Sequence, residues 1–239
     1  MSAANQTSTI SEPVSKPKIF IRLLVFLIIC GAILFGLAGS LRWLWGWVFL
    51  IVFAAVTLAS SLLVKLDQEL VEERTTLKDD VKQWDKYLAG STSLLYPFAY
   101  LIVAGLDYRF GWTGEDNFAL WLKLLAVVIG LLGYGFSIWA ARVNKFYARF
   151  VRIQTERGHH PVTTGPYRIV RHPGYAGLSL FILASGIILE SYWAMLVSVV
   201  MVVILIVRTA LEDRTLQQEL PGYREYAQQT RYRLLPGIW

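Results

Sequence analysis

This sequence predicts an all-α polytopic membrane protein with about six membrane helices, on three observations. First, 55% of its 239 residues are hydrophobic and the mean hydropathy is +0.47, too apolar for an ordinary soluble domain. Second, uncharged runs recur at close to the ~20 residues that a helix needs to cross a ~30 Å hydrocarbon layer. Third, the basic residues fall on alternate loops, as an oriented membrane protein requires.

The runs come in order. Leu23–Leu41 has 19 residues, Trp43–Val64 has 22, Tyr87–Leu106 has 20 and Leu124–Ala141 has 18. Gly174–Leu189 (16 residues) and Ser191–Val207 (17 residues) follow, parted only by Glu190. At about 1.5 Å per residue these two reach roughly 24–26 Å each, so they read as a short helical hairpin at the margin of a full crossing. With a cytoplasmic N-terminus, twenty of the 23 basic residues lie inside, leaving Arg42, Arg109 and Lys123 outside. That orientation puts the C-terminus in the cytoplasm too, as a cap after the hairpin. It also accounts for the net charge of +6 through anionic lipid, with no need of nucleic acid.

Residues 1–17 form a polar tail expected to be disordered. Residues 18–142 hold the N-terminal membrane helices, and 143–239 a core continuous with them in one membrane domain. The loop Lys65–Lys86 alternates acids and bases, as a solvated helical face does. Val143–Arg157 interleaves Phe146, Tyr147 and Phe150 with Lys145, Arg149 and Arg152. It can lie along the interface, aromatics in the acyl boundary and cations toward headgroups, or form one wall of a lipid entrance. Cys30 is the single cysteine and lies in the first helix, so no disulfide forms within one chain. His159, His160 and His172 lack metal-ligand spacing, and no protein-bound metal is expected.

Gly165 to Gly177 carries the most chemistry. Arg168, Arg171 and His172 stand at the mouth of an apolar helix, with Pro173 suited to its first position. His172 then sits near the N-cap, in the positive field of the helix end, an arrangement that invites an anion. A basic membrane-anchoring turn would look the same. Beyond the hairpin, Arg208 and Glu212 share a face of a continuing helix, and Pro221-Gly222 turns the chain before Tyr223, Tyr226, Arg231 and Arg233.

Taken together, Gly165-Pro166-Tyr167, Arg171-His172-Pro173-x-Tyr175-x-Gly177, the hairpin, Arg208-x-x-x-Glu212-Asp213 and Gly222-Tyr223-x-x-Tyr226 resemble the isoprenylcysteine carboxyl methyltransferase family. That family belongs to the wider group of integral-membrane methyltransferases that includes the phospholipid N-methyltransferases. The resemblance is strongest over Asn144–Trp239; Glu73-Arg74, Lys82-x-Trp84-Asp85 and Ala104-Gly105-Leu106-Asp107 look like longer, bacterial-type members, whose setting would be an inner membrane. It implies S-adenosylmethionine as methyl donor, with Tyr167, His172, Tyr175, Glu212 and Tyr223 as cofactor-binding candidates. Arg171, Arg208 and Glu212 are the catalytic candidates, and Arg208, Arg231, Phe146 and Phe150 the substrate-binding ones. Asp213 stands where many members carry a second glutamate, one carbon shorter with the charge kept.

The implied chemistry suits these residue types. A carboxylate acceptor, already ionised with a reference pKa near ~4, needs no general base. It needs positioning, and an arginine can hold one oxygen while the other attacks. Tyrosine faces suit a sulfonium through a cation–π attraction of roughly 0.5–2 kcal/mol. The expected function is therefore methylation of a lipophilic carboxylate or lipid acceptor among membrane lipids, with no obligate protein partner. Phospholipid N-methylation, an NADPH-dependent membrane reductase and a non-catalytic scaffold remain alternatives.

Overall fold

The computed structural model describes residues 16–63, 78, 80–90, 96–114 and 118–239. Among them every regular element is helical: α1 Lys16–Ala38, α2 Leu44–Leu63, α3 Gln83–Gly90, α4 Tyr96–Phe110, α5 Leu120–Val143, α6 Pro173–Ile188, α7 Tyr192–Glu219 and α8 Tyr223–Gln229. Short 3₁₀ turns lie at Thr155–Arg157 and Gly165–Arg168. Four segments are long and apolar enough to cross a membrane by length and composition: Phe20–Ala38 of α1, α2, α5 and α7. The chain is an α-helical integral membrane protein.

One of the six predicted runs comes out differently. Tyr87–Leu106 is not one helix: α3 ends at Gly90 and α4 begins at Tyr96, with Pro97 in its first turn. A proline there needs no N–H partner and starts the new helix. The last run continues past Val207, as the shared helical face of Arg208 and Glu212 predicts, and α7 reaches Glu219, 28 residues in all. The expected interfacial stretch 144–157 is irregular apart from its single 3₁₀ turn, and Phe146 and Arg152 are buried within it. The tail 1–15 and most of the acid–base loop, residues 64–77, lie outside the described residues.

Close backbone approach holds α5 against α6. A Cβ at Gly177 would lie 2.2 Å from the Gly133 carbonyl oxygen, and one at Gly133 would lie 2.7 Å from Leu180 Cβ. Small residues let helices meet this way in hydrocarbon, where packing rather than water exclusion joins them. Gly177→Ala is therefore expected to cost about 1–3 kcal/mol through overpacking. Thermal unfolding in detergent should show a clear fall for Gly177→Ala and none for Gly135→Ala, whose Cβ meets nothing within 4 Å.

Around this pair, Phe49, Tyr100, Leu101, Phe181 and Ile188 form the largest apolar core, linking α2, α4 and α6. Polar contacts close the hairpin tip. Lys123 pairs with Glu190 and lies over the Trp45 ring, while the buried Asp107 carboxylate accepts from the Thr113 and Ser191 hydroxyls. These contacts sit at the far end of α6 from His172, its N-cap. The two ends of one short helix thus carry different polar chemistry.

Candidate active site

Pro173 occupies the first turn of α6 and His172 caps it, as the sequence predicts. The chain itself supplies the anion for that positive end. His172 Nε2 lies 3.4 Å from Asp213 Oδ1 and its Nδ1 lies 3.9 Å from Glu212 Oε1, both carboxylates coming from α7. α7 delivers them because it runs back antiparallel to α6 and continues beyond its apolar part.

Asp213 is the hub of the framework. It is fully buried and accepts from Arg171 Nε (2.7 Å) and Nη2 (3.0 Å), Arg233 Nε (2.9 Å), the Tyr223 hydroxyl (3.1 Å) and Gln217 Nε2 (2.7 Å). Arg171 is equally committed, its Nη1 donating to the carbonyls of Thr230 and Arg231. Burial works against the Arg171 charge, but the Asp213 carboxylate outweighs it and holds the guanidinium pKa above its ordinary value. The main chain repeats the tie: Arg171 and His172 N–H groups donate to the carbonyls of Tyr232 and Arg233. The segment after α8 is thereby fastened to the start of α6.

A second buried pair fixes the other wall. Arg208 donates through Nε (2.7 Å) and Nη2 (3.1 Å) to Asp85 of α3, and its Nη2 also reaches the Arg149 carbonyl at 2.6 Å. Asp85 is fully buried and also accepts from Val151 N–H at 2.7 Å. It therefore joins α3, the loop 144–164 and α7.

Between these clamps lies a cavity of about 260 Å³. Tyr167, Arg171, His172, Tyr175, Arg208, Glu212, Tyr223, Phe146 and Phe150 all line it. Arg231 does not: its side chain is exposed to solvent, and its contribution to the framework is the carbonyl that Arg171 uses. Tyr175 donates to Glu212 Oε2 at 2.7 Å, which leaves Oε1 turned toward His172. The rings of His172 and Tyr175 are parallel with centroids 5.9 Å apart, and the Arg208 guanidinium lies 5.3 Å from the Tyr175 ring centre. Tyr167 accepts from Asn144 Nδ2 at 3.0 Å. Burial raises the pKa of Tyr167 and of Tyr223, so both stay protonated phenols.

Sequence reasoning alone passes over several lining residues. His159 packs on Phe146 and accepts from Gln154 N–H through Nδ1. Burial, with His160, Arg152 and Arg157 nearby, lowers its pKa to about 4, so it is a neutral imidazole at pH 7. Asp85 supports the site without lining it, and its one sequence cue is its place in Lys82-x-Trp84-Asp85. Among the described residues, no group of three or more His, Cys, Asp or Glu side chains could hold a metal ion.

The stretch that builds most of this cavity, from α5 through the loop and hairpin to the end of α7, is also the part that resembles known proteins. Residues 121–221 match the phospholipid methyltransferase family. The match covers 101 of the 239 residues, in keeping with the likeness of the chain's motifs to isoprenylcysteine carboxyl methyltransferases. A curated relative, the cobalt-zinc-cadmium resistance protein CzcN of Cupriavidus metallidurans, is 31% identical over 113 residues. The match takes in 46% of this chain and 49% of the relative, so the chain spans about half the length of the curated relative it matches. The matched segment contains α6 and α7, which carry Tyr175, Arg208 and Glu212 into the cavity lining.

Proposed function

We propose that this chain is a membrane methyltransferase that uses S-adenosylmethionine to O-methylate the carboxylate of a lipophilic acceptor, at the cytoplasmic face of a bacterial inner membrane with both termini inside. The observation that carries this reading is the meeting of His172, Tyr175 and Glu212 in one cavity across the two helices of the hairpin. The donor set suits a zwitterionic sulfonium nucleotide. Glu212 Oε1 faces the cavity as a partner for an ammonium, and the Tyr175 and Tyr223 rings offer π faces to a sulfonium. Leu178, Leu216, Leu220 and Val162 supply apolar wall for a purine. When bound, the donor supplies an electrophilic methyl group.

The residues of the chain have three tasks in this reaction. Glu212 and His172 bind and orient the donor's amino-acid end, with Tyr175 fixing the rotamer of Glu212 by its 2.7 Å hydrogen bond. Arg208 is held rigid by Asp85 on one edge, and among the described residues no hydrogen bond occupies its Nη1, which is left for an acceptor oxygen. Phe146 and Phe150 exclude water from the attacking carboxylate, which strengthens orientation and raises its nucleophilicity. A carboxylate acceptor held there would have no proton to lose, so the site would need no general base. Arg171 acts through the framework, by positioning His172.

The family match favours a second reading, N-methylation of a phospholipid amine. That acceptor must lose a proton before it can attack, so its rate would rise with pH through the amine pKa. One experiment separates the two. Native membranes are incubated with purified protein and methyl-labelled S-adenosylmethionine, then treated with mild base. Volatile label marks an ester and supports O-methylation; label retained in lipid marks an amine product and replaces it with the second reading.

A further inference from the structure

Four arginines line the cavity, and three are neutralised. Arg171 is paired with Asp213, Arg208 with Asp85, and Arg152 with Asp80 and Glu156. Arg149 is the exception. Its Nε is buried with no hydrogen-bond partner, and among the described residues no carboxylate reaches its guanidinium. Its guanidinium lies against Phe150, whose ring centre is 5.3 Å from Cζ.

Such a cation is costly to hold. A guanidinium donor taken out of water without a partner loses solvation that nothing in the protein returns. Arg149 is also held in place, because its own carbonyl accepts the 2.6 Å hydrogen bond from Arg208 Nη2. Its main chain is thus fixed to the floor of the site while its charge is uncommitted. Among the described residues, Glu212 is the one carboxylate lining the cavity, and it is engaged by Tyr175 beside His172.

We infer that Arg149 is the acceptor's anion-recognition residue: it selects amphiphiles whose polar end bears a carboxylate or a phosphate, and it discriminates against neutral ones. The inference rests on the methyltransferase reading above and adds the residue that sets headgroup specificity. Phe150 beside it supplies apolar surface for the first part of the acceptor's chain. A planar guanidinium can meet either oxyanion with two parallel hydrogen bonds, which is why the two headgroups share one site.

The test uses the full chain in phosphatidylcholine nanodiscs and three radiolabelled probes, oleate, oleyl phosphate and oleyl alcohol, with empty discs subtracted. Wild type is expected to bind at least one acid 10-fold or more tightly than the alcohol. Arg149→Gln should remove that gap while leaving alcohol binding within about twofold, and Arg149→Lys should restore part of it. Preference for oleate identifies a carboxylic acceptor, and preference for oleyl phosphate a phosphate headgroup. Equal binding of acids and alcohol by wild type, binding of none of them, or a gap that survives in Arg149→Gln overturns the proposal. Should Arg149→Gln not fold, the gap in Arg149→Lys decides: a gap identical to that of wild type overturns the proposal, and a reduced one supports it. Calorimetry with S-adenosylmethionine on wild type is the separate arm. Failure there sinks the donor reading, whereas donor binding with no headgroup preference sinks only the role of Arg149.

Discussion

Glu212→Gln is expected to weaken S-adenosylmethionine binding by about 10- to 100-fold, corresponding to the ~1.5–3 kcal/mol of a hydrogen bond to a charged group. Glutamine keeps the shape of the side chain and still accepts from the Tyr175 hydroxyl through its carbonyl oxygen, so the wall of the cavity stays in place. What disappears is the negative charge that faces His172 and would meet the donor's ammonium. Titration calorimetry on detergent-solubilised protein measures this directly, and His172→Ala should fall in the same range. Unchanged affinity in both variants would mean that the donor binds elsewhere.

Its neighbour should behave in the opposite sense. Asp213→Ala is expected to destabilise the protein by about 3–5 kcal/mol, because it leaves the buried Arg171 guanidinium without its counter-charge. Arg233, Tyr223 and Gln217 lose an acceptor at the same time. Thermal unfolding should show a large drop for Asp213→Ala and almost none for Glu212→Gln. Two adjacent carboxylates would then be separated by role: one holds the frame, the other faces the guest. An Asp213→Ala protein that melts like wild type would show that the arginines find water or another partner.

The helices were legible because membrane thickness dictates their length, whatever their detailed sequence. Where run length misled, the reason is local chemistry. Gly90 and Pro97 interrupt an uncharged stretch that a count of charges treats as continuous, and both are punctuation for a helix. The end of α7 was legible as well, since charge at Arg208 stops a hydrocarbon run but not a helix, and Pro221-Gly222 marks the turn that follows. Within the cavity, Tyr167, His172, Tyr175, Glu212 and Tyr223 share their neighbourhood because the hairpin folds its two flanks together. Asp85 could not be placed by such reasoning, because its partner Arg208 is 123 residues away. Asp213 read as a shortened copy of a neighbouring acid, and its place at the centre of five donors follows only from the packing. Arg231 and Arg233 are two residues apart with opposite fates, one in solvent and one on Asp213, a choice made by the chain's path after α8.

That path bears on how the protein matures. Thr230, Arg231 and Arg233 leave the ribosome after every helix long enough to enter the bilayer, yet they supply the carbonyls and the guanidinium that complete the Arg171–Asp213 clamp. Insertion of the helices must therefore precede closure of the cavity during biosynthesis. Until then the newborn chain carries a half-built charged seam, in which Asp213 and Arg171 lack their last partners.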